Sequence, residues 1–325
     1  MSRSAAATRR RRSGALQALL IVASALPASA AVVRTGQPVM GTVLQVMVVA
    51  ADEVSARALA DAATAEVRRW DDILTTWRPD GELAQLNAHA GAGQVAVGAD
   101  LSAALRTMQR LSMATQGAFD PAVGPLVDLW RGPTPPSAPI APSARHHIAS
   151  ALALEGGAAR LVDGAKLDAG GIGKGMALDA AGALLRARGV AAAYLDFGGS
   201  SQLAIGAPPD SPQGWRVAVS GLGPDELHGV VTLRDAALST SRASGPSQAG
   251  PIIDPRSGLP APAPGITTVR AADATTAEAW SKAVIILGRD GMQRASTDGI
   301  DVFLEDARGV ARSDGFTLEA LDAEP

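Results

Sequence analysis

The 325-residue chain reads as a mixed α/β protein. Three observations predict that class. Strand-type and helix-type segments succeed one another without strict strand–helix–strand alternation, which argues against a doubly wound sheet. No internal repeat of roughly 20–50 residues is visible, which excludes solenoids and propellers. Hydrophobic residues make up 47% of the chain, enough to bury the core of one large unit or two smaller ones.

The elements follow in order. Residues 1–30 read as a secretory signal peptide: Arg3 and the arginines at 9–12, an apolar run over 15–26, then Pro27-Ala28-Ser29-Ala30 as a small-residue cleavage site. That twelve-residue run is well short of the ~20 residues a membrane-spanning helix needs, so cleavage after Ala30 is expected. The mature chain, residues 31–325, is expected to be one exported, periplasmic domain with no transmembrane helix. Loss of the leader removes five arginines and no acid, making the formal charge of −3 more negative.

Within residues 32–50, the β-branched run 41–49 predicts a strand. Leu59, Ala63, Val67, Trp70 and Leu74 recur at helical spacing, so 53–74 is a helix. Its Asp71-Asp72 pair reads as a solvated face. Residues 75–93 form a polar segment with Trp77, Arg78, Pro79, Asp80 and Asn87, and 101–115 is a second long helix. Five prolines in 131–145 mark a surface loop. A hairpin-like pair from Ala159 leads into a glycine-rich bend, followed by a helix to about Arg188 and a strand over 192–197. Strands at 215–220 and 228–233 precede a turn-rich run at 252–260. A helix over 276–287 stops at Gly288, and a short hairpin closes the chain.

Composition removes several functions. With no cysteine there is no disulfide framework, thiolate metal site, cysteine nucleophile or acylated cysteine anchor. Basic residues number 29 against 32 acids, leaving no positive surplus for a nucleic-acid backbone. The only lysines are Lys166, Lys174 and Lys282.

The densest chemical signal is Asp168-Ala169-Gly170-Gly171-Ile172-Gly173-Lys174-Gly175. It is not a Walker loop, because Asp168 stands at the first glycine position and Gly175 where a hydroxyl is needed. A G-x-G-x-x-G fingerprint fails at Met176. What remains is a set of glycines that lets backbone N–H groups approach an anion, a helix start and the charge of Lys174, with Asp168 as an acceptor. A tight strand-to-helix turn carrying a solvated lysine fits the same residues. A second cluster, residues 117–130, combines Phe119-Asp120-Pro121 with Gly124-Pro125 and predicts an irregular, rigid backbone that buries Trp130.

Taken together these segments resemble the FAD:protein FMN transferases, the ApbE flavin transferases. Met40-Gly41-Thr42, residues 76–87, 117–130, 167–179, Asp196-Phe197-Gly198-Gly199, Ser239-Thr240-Ser241, 252–260 and 277–288 match in order, over nearly the whole mature chain. The resemblance implies two sheet-containing lobes flanked by helices, with the flavin site in the cleft between them. It implies an enzyme that uses FAD and Mg²⁺ to move FMN onto a Ser or Thr hydroxyl of an exported acceptor flavoprotein, releasing AMP. By motif position, Met40, Trp77, Ala118, Phe119, Asp120, Asp168, Lys174 and Ile252 are expected to contact FAD. The Gly171 carbonyl and positions 278 and 282 are expected to face magnesium.

Two departures stand out. Where the family often carries a histidine before Ile252-Ile253-Asp254-Pro255, this chain has Pro251, which neither accepts nor donates a proton, and so no catalytic base is assigned. The late helix presents Glu278 and Lys282 where the family supplies Asp and Thr, and an ammonium does not ligate a cation. Three readings of that pair stand side by side: Glu278 as a metal ligand, Lys282 as a partial substitute for the metal's charge, or Thr275–Glu278 as a capping box with an i,i+4 ion pair. The departures also allow an FAD pyrophosphatase giving FMN and AMP, or a non-catalytic FAD-binding protein.

Overall fold

The computed structural model describes residues 30–134, 136, 140–243 and 251–321. Apart from Ala30, the expected signal peptide lies outside the described residues, as do 244–250. Among the described residues no helix is long and apolar enough to cross a membrane.

The chain opens with strands β1 (Ala31–Val39) and β2 (Thr42–Ala50). Met40 and Gly41, both at positive φ, make the two-residue turn between them. Helix α1 (Glu53–Leu74) follows, capped by Asp52, which accepts from the Ser55 N–H. Its Ala56, Ala60, Ala63, Val67, Trp70 and Leu74 form the buried stripe. The polar segment at 75–93 contains a short helix, α2 (Glu82–Ala88). Only Leu83 and Leu86 anchor it, too few apolar residues for a helical period to show.

Strand β3 (Val95–Ala96), helix α3 (Ala99–Ala114), helix α4 (Gly124–Arg131) and the single turn α5 (Ile148–Ala151) come next. Strands β4 (Leu152–Glu155) and β5 (Ala158–Leu161) form the hairpin. It turns at Gly156-Gly157, so it starts upstream of the Ala159 expected from sequence. Helix α6 (Gly173–Ala187), strand β6 (Ala192–Phe197), strand β7 (Ser201–Ile205) and the ribbon β8 (Trp215–Ser220) and β9 (Leu227–Leu233) continue the chain. Strands β10 (Ala236–Ala243) and β11 (Gly265–Ala271), helices α7 (Ala274–Leu287) and α8 (Arg289–Thr297), and the hairpin β12 (Asp301–Asp306) and β13 (Gly309–Arg312) complete it.

An eight-stranded sheet, ordered β1-β2-β6-β7-β10-β11-β12-β13, dominates the fold, and every neighbouring pair in it is antiparallel. Alternate side chains of each strand point to opposite faces. One face packs on α1, α6 and α7 through Leu44, Val46, Leu195, Leu203 and Val269. The other carries the β8–β9 ribbon, whose Trp215, Val217, Val231 and Leu233 meet Ala192, Ala204, Leu238 and Phe303. A smaller sheet, β3-β5-β4, packs with α2, α3 and α5. The apolar cluster that covers the large sheet continues into this smaller one through Leu86, Leu105, Met108 and Leu161. The mixed α/β class therefore holds, with all-antiparallel pairing. Residues 162–172 carry the chain from the small sheet to α6 on the large one, and the glycine-rich bend sits on that passage.

Candidate functional site

The bend is fixed from both sides before it reaches Lys174. Asn87 clamps Leu167 with two 2.8 Å bonds, donating from Nδ2 to the carbonyl and accepting the N–H at Oδ1. The Asp168 N–H donates to the Pro121 carbonyl at 2.8 Å, tying the bend to the Phe119-Asp120-Pro121 segment. Asp168 Oδ1 accepts from the Gly170 N–H at 2.8 Å, which closes a local turn. The glycines are needed for close approach: none from Gly170 to Gly175 has positive φ. A Cβ on Gly175 would lie 2.5 Å from the Ala274 carbonyl oxygen, so glycine there lets the starts of α6 and α7 touch.

At that contact stands Glu278, fully buried. Its Oε2 accepts from the Gly175 N–H at 2.6 Å. Its Oε1 lies 3.1 Å from Lys174 Nζ and 3.4 Å from Lys282 Nζ, and accepts from Ser201 Oγ at 3.2 Å. Burial alone would raise the Glu278 carboxyl, but the charges of Lys282 and Lys174 and the Gly175 donor outweigh it and hold it at about 2. Burial, helped by the Lys174 charge, pushes the Lys282 ammonium down to about 8 against the pull of Glu278. Two of the chain's three lysines thus converge on one carboxylate.

This geometry corrects two expectations. The capping box from Thr275 to Glu278 is not formed. Asp273 caps α7 by accepting from the Thr276 N–H, while the Thr275 hydroxyl and N–H donate to Asp179 on α6. Burial raises Asp179 to about 6 despite those donors. The second correction concerns magnesium. Both Glu278 oxygens are already occupied, two of their partners are cations, and Lys282 has no lone pair to offer when charged. Positions 278 and 282 therefore do not fit a divalent metal.

Two adjoining cavities flank the bend. The larger, about 540 Å³, is lined by Met40, Asp71, Trp77, Arg78 and Lys174 among others. The smaller, about 180 Å³, is lined by Ala118, Phe119, Asp120, Gly171, Ile252 and Lys282 among others. Asp168, Gly170 and Arg131 line both. All eight positions expected at FAD, with Gly171 and Lys282, therefore come together around one bend, while Glu278 lies behind the walls. Asp120 turns its carboxylate inward, accepting from the Ala122 and Ile148 N–H groups and the Ser112 hydroxyl, so the side chain holds backbone in place. Pro251 lines the smaller cavity, and none of the four histidines lines either.

The sequence reading missed three contributors. Arg131, the residue after the 117–130 cluster, lies over the exposed Trp77 ring at 5.1 Å. Asp71 is no merely solvated acid: it lines the larger cavity and pairs with Arg78 at 3.4 Å. Arg78 also pairs with Asp72 and, at 3.6 Å, Asp80, which holds the Trp77 loop to α1. Only the position of Arg131 beside the Phe119 cluster hinted at it.

Residues 34–304 match the model of the ApbE family. The chain belongs to the ApbE family. It is 28% identical over 303 residues to an FAD:protein FMN transferase of Klebsiella pneumoniae (strain 342), covering 86% of this chain and 85% of that one. It is 32% identical over 279 residues to an FAD:protein FMN transferase of Rhodobacter capsulatus, covering 79% of this chain and 51% of the relative. The flavin transferase ApbE of Vibrio cholerae superposes with a TM-score of 0.74 at 25% identity, over 87% of this chain and 97% of that structure. The ApbE match takes in both cavities, the bend and the α6–α7 contact.

Proposed function

We propose that this protein is an FAD:protein FMN transferase, with FAD as its substrate and an exported flavoprotein as its acceptor. One observation carries the reading: two cavities meet at Asp168 and Gly170 with a lysine ammonium on either side, Lys174 in the larger and Lys282 in the smaller. A dinucleotide has that layout, two bulky halves joined by an anionic diphosphate. In the proposed reaction a Ser or Thr hydroxyl oxygen of the acceptor bonds to the phosphorus of the FMN half. The bond from that phosphorus to the bridging oxygen breaks, its electron pair leaves with AMP, and the hydroxyl proton passes to solvent. Such chemistry depends on positioning and on neutralising phosphate charge, which is what the bend and its lysines offer.

Incubation with FAD and an exported flavoprotein domain should give an acceptor band that fluoresces as covalent flavin after denaturing electrophoresis. An unlabelled acceptor from a sample that demonstrably binds FAD overturns transfer. Pro251 in the smaller cavity favours a second reading, FAD binding without transfer, in which FAD is recovered intact. Free FMN formed without acceptor identifies hydrolysis instead. Export to the periplasm belongs to the same proposal and rests on residues 1–30; cell fractionation of the full chain should place it in the periplasmic extract.

A further inference from the structure

We propose that Lys282, anchored by Glu278 and paired with Lys174, takes the charge-neutralising place of a divalent cation, so that this chain engages the FAD diphosphate without metal. The proposal rests on the flavin reading above and goes beyond it, because the residues at 278 and 282 reject the ion the family resemblance implies.

Glu278 is wholly enclosed, and its two oxygens are taken by Gly175, Ser201, Lys174 and Lys282. One carboxylate between two ammoniums leaves one positive charge over. That surplus is placed at the cavity walls, since both lysines line them and the carboxylate does not. Each ammonium has three N–H donors and directs one at Glu278, which leaves others for phosphate oxygens. The compact charge of lysine suits this enclosed corner better than the broad guanidinium the chain uses almost everywhere else. A cation brought to Glu278 would face two like charges and a carboxylate whose oxygens already have partners. Ser239 and Ser241, both buried, bond the Ser281 hydroxyl one residue before Lys282, which fixes this turn of α7 on the sheet.

The test is a titration of the full protein, stripped with a chelator, following quenching of FAD fluorescence with EDTA or with Mg²⁺ present. The parent should bind FAD equally, within about twofold, under both conditions. Lys282→Thr should bind about tenfold or more weakly in EDTA, in line with loss of a charged hydrogen bond, and regain affinity when Mg²⁺ is added. Parental binding that collapses in EDTA and returns with Mg²⁺ overturns the proposal and leaves the flavin reading intact. So does a folded Lys282→Thr that binds like the parent in EDTA. Absence of FAD binding under both conditions overturns the flavin reading and this proposal with it. Thermal melting reports whether Lys282→Thr folds, and if it does not, the parent's two titrations decide alone.

Discussion

Two carboxylates are buried close to the cavities, and they are satisfied in opposite ways. Glu278, fully enclosed, meets two ammoniums as well as an N–H and a hydroxyl. Asp120, 3% exposed, meets the Ala122 and Ile148 N–H groups and the Ser112 hydroxyl, and among the described residues its one ion-pair contact is the His147 ring at 3.5 Å. Both arrangements offset the cost of taking a carboxylate out of water. Compensation by dipoles fixes backbone and leaves the local charge where it was. Compensation by two cations over-neutralises the carboxylate and exports the surplus to the cavity wall. The first device serves a rigid loop, and the second, on the function proposed above, serves to hold an anion.

The largest test of that contrast is Glu278→Gln. Two ammoniums would then face each other without a counter-charge, and removing one partner of a buried ionic cluster costs about 3–5 kcal/mol. Urea unfolding should show a loss of that size, whereas Asp120→Asn, which keeps an acceptor oxygen, should lose about 1–3 kcal/mol. Equal losses would break the comparison. The acid limb sharpens it further. The Glu278 carboxyl sits at about 2 in the folded chain against an ordinary 4.5. Its contribution is therefore complete above pH 4.5 and is lost as pH falls toward 2, a dependence that Glu278→Gln should remove.

A smaller effect comes from the contact that brings the ammoniums together. In Gly175→Ala the new methyl would overlap the Ala274 carbonyl, and separating α6 from α7 should cost about 1–3 kcal/mol. Because the Gly175 N–H also donates to Glu278, FAD affinity should fall with stability. Gly171→Ala, whose Cβ would meet only Phe119 and Lys282 at ordinary distances, should leave stability nearly unchanged. The pH dependence of binding is smaller again. Burial sets the Lys282 ammonium near 8, so it is charged below that pH and neutral above it. FAD affinity should weaken as pH rises through about 8, and a Lys282→Thr protein should lack that inflection.

How much of this was legible in the sequence depended on whether a signal was periodic or positional. Helix α1 and strands β6 and β8 stood out because their apolar spacing is regular. Met40, Trp77, Ala118, Phe119, Asp120, Asp168, Lys174 and Ile252, far apart in the chain, line the two cavities beside the bend. Strands β10 and β11 were invisible because their interiors are hydroxyls: Ser239, Ser241, Thr267 and Thr268 are all buried, Ser239 and Ser241 satisfied by Ser281, Thr267 by the Phe303 carbonyl and Thr268 by Thr240. The Glu278–Lys282 pair was readable as an i,i+4 spacing. Its burial and its third member, Lys174, were not, since they follow from a helix crossing made by residues 103 apart.

The smallest prediction concerns His147, and it sets the lower bound of the comparison. The ring is about half exposed, and its Nδ1 lies 3.5 Å from Asp120 Oδ2, long for a hydrogen bond. If dipoles alone satisfy Asp120, the histidine is an optional neighbour, and His147→Ala should cost no more than about 0.5 kcal/mol, as for an exposed ion pair. Were the histidine instead a needed partner of the carboxylate, the same substitution would cost about as much as Asp120→Asn. Urea midpoints for the parent, His147→Ala and Asp120→Asn separate the cases. A His147→Ala variant that tracks the parent keeps the two carboxylates in different classes. A loss as large as that of Asp120→Asn would move Asp120 toward the charge-balanced class that Glu278 defines.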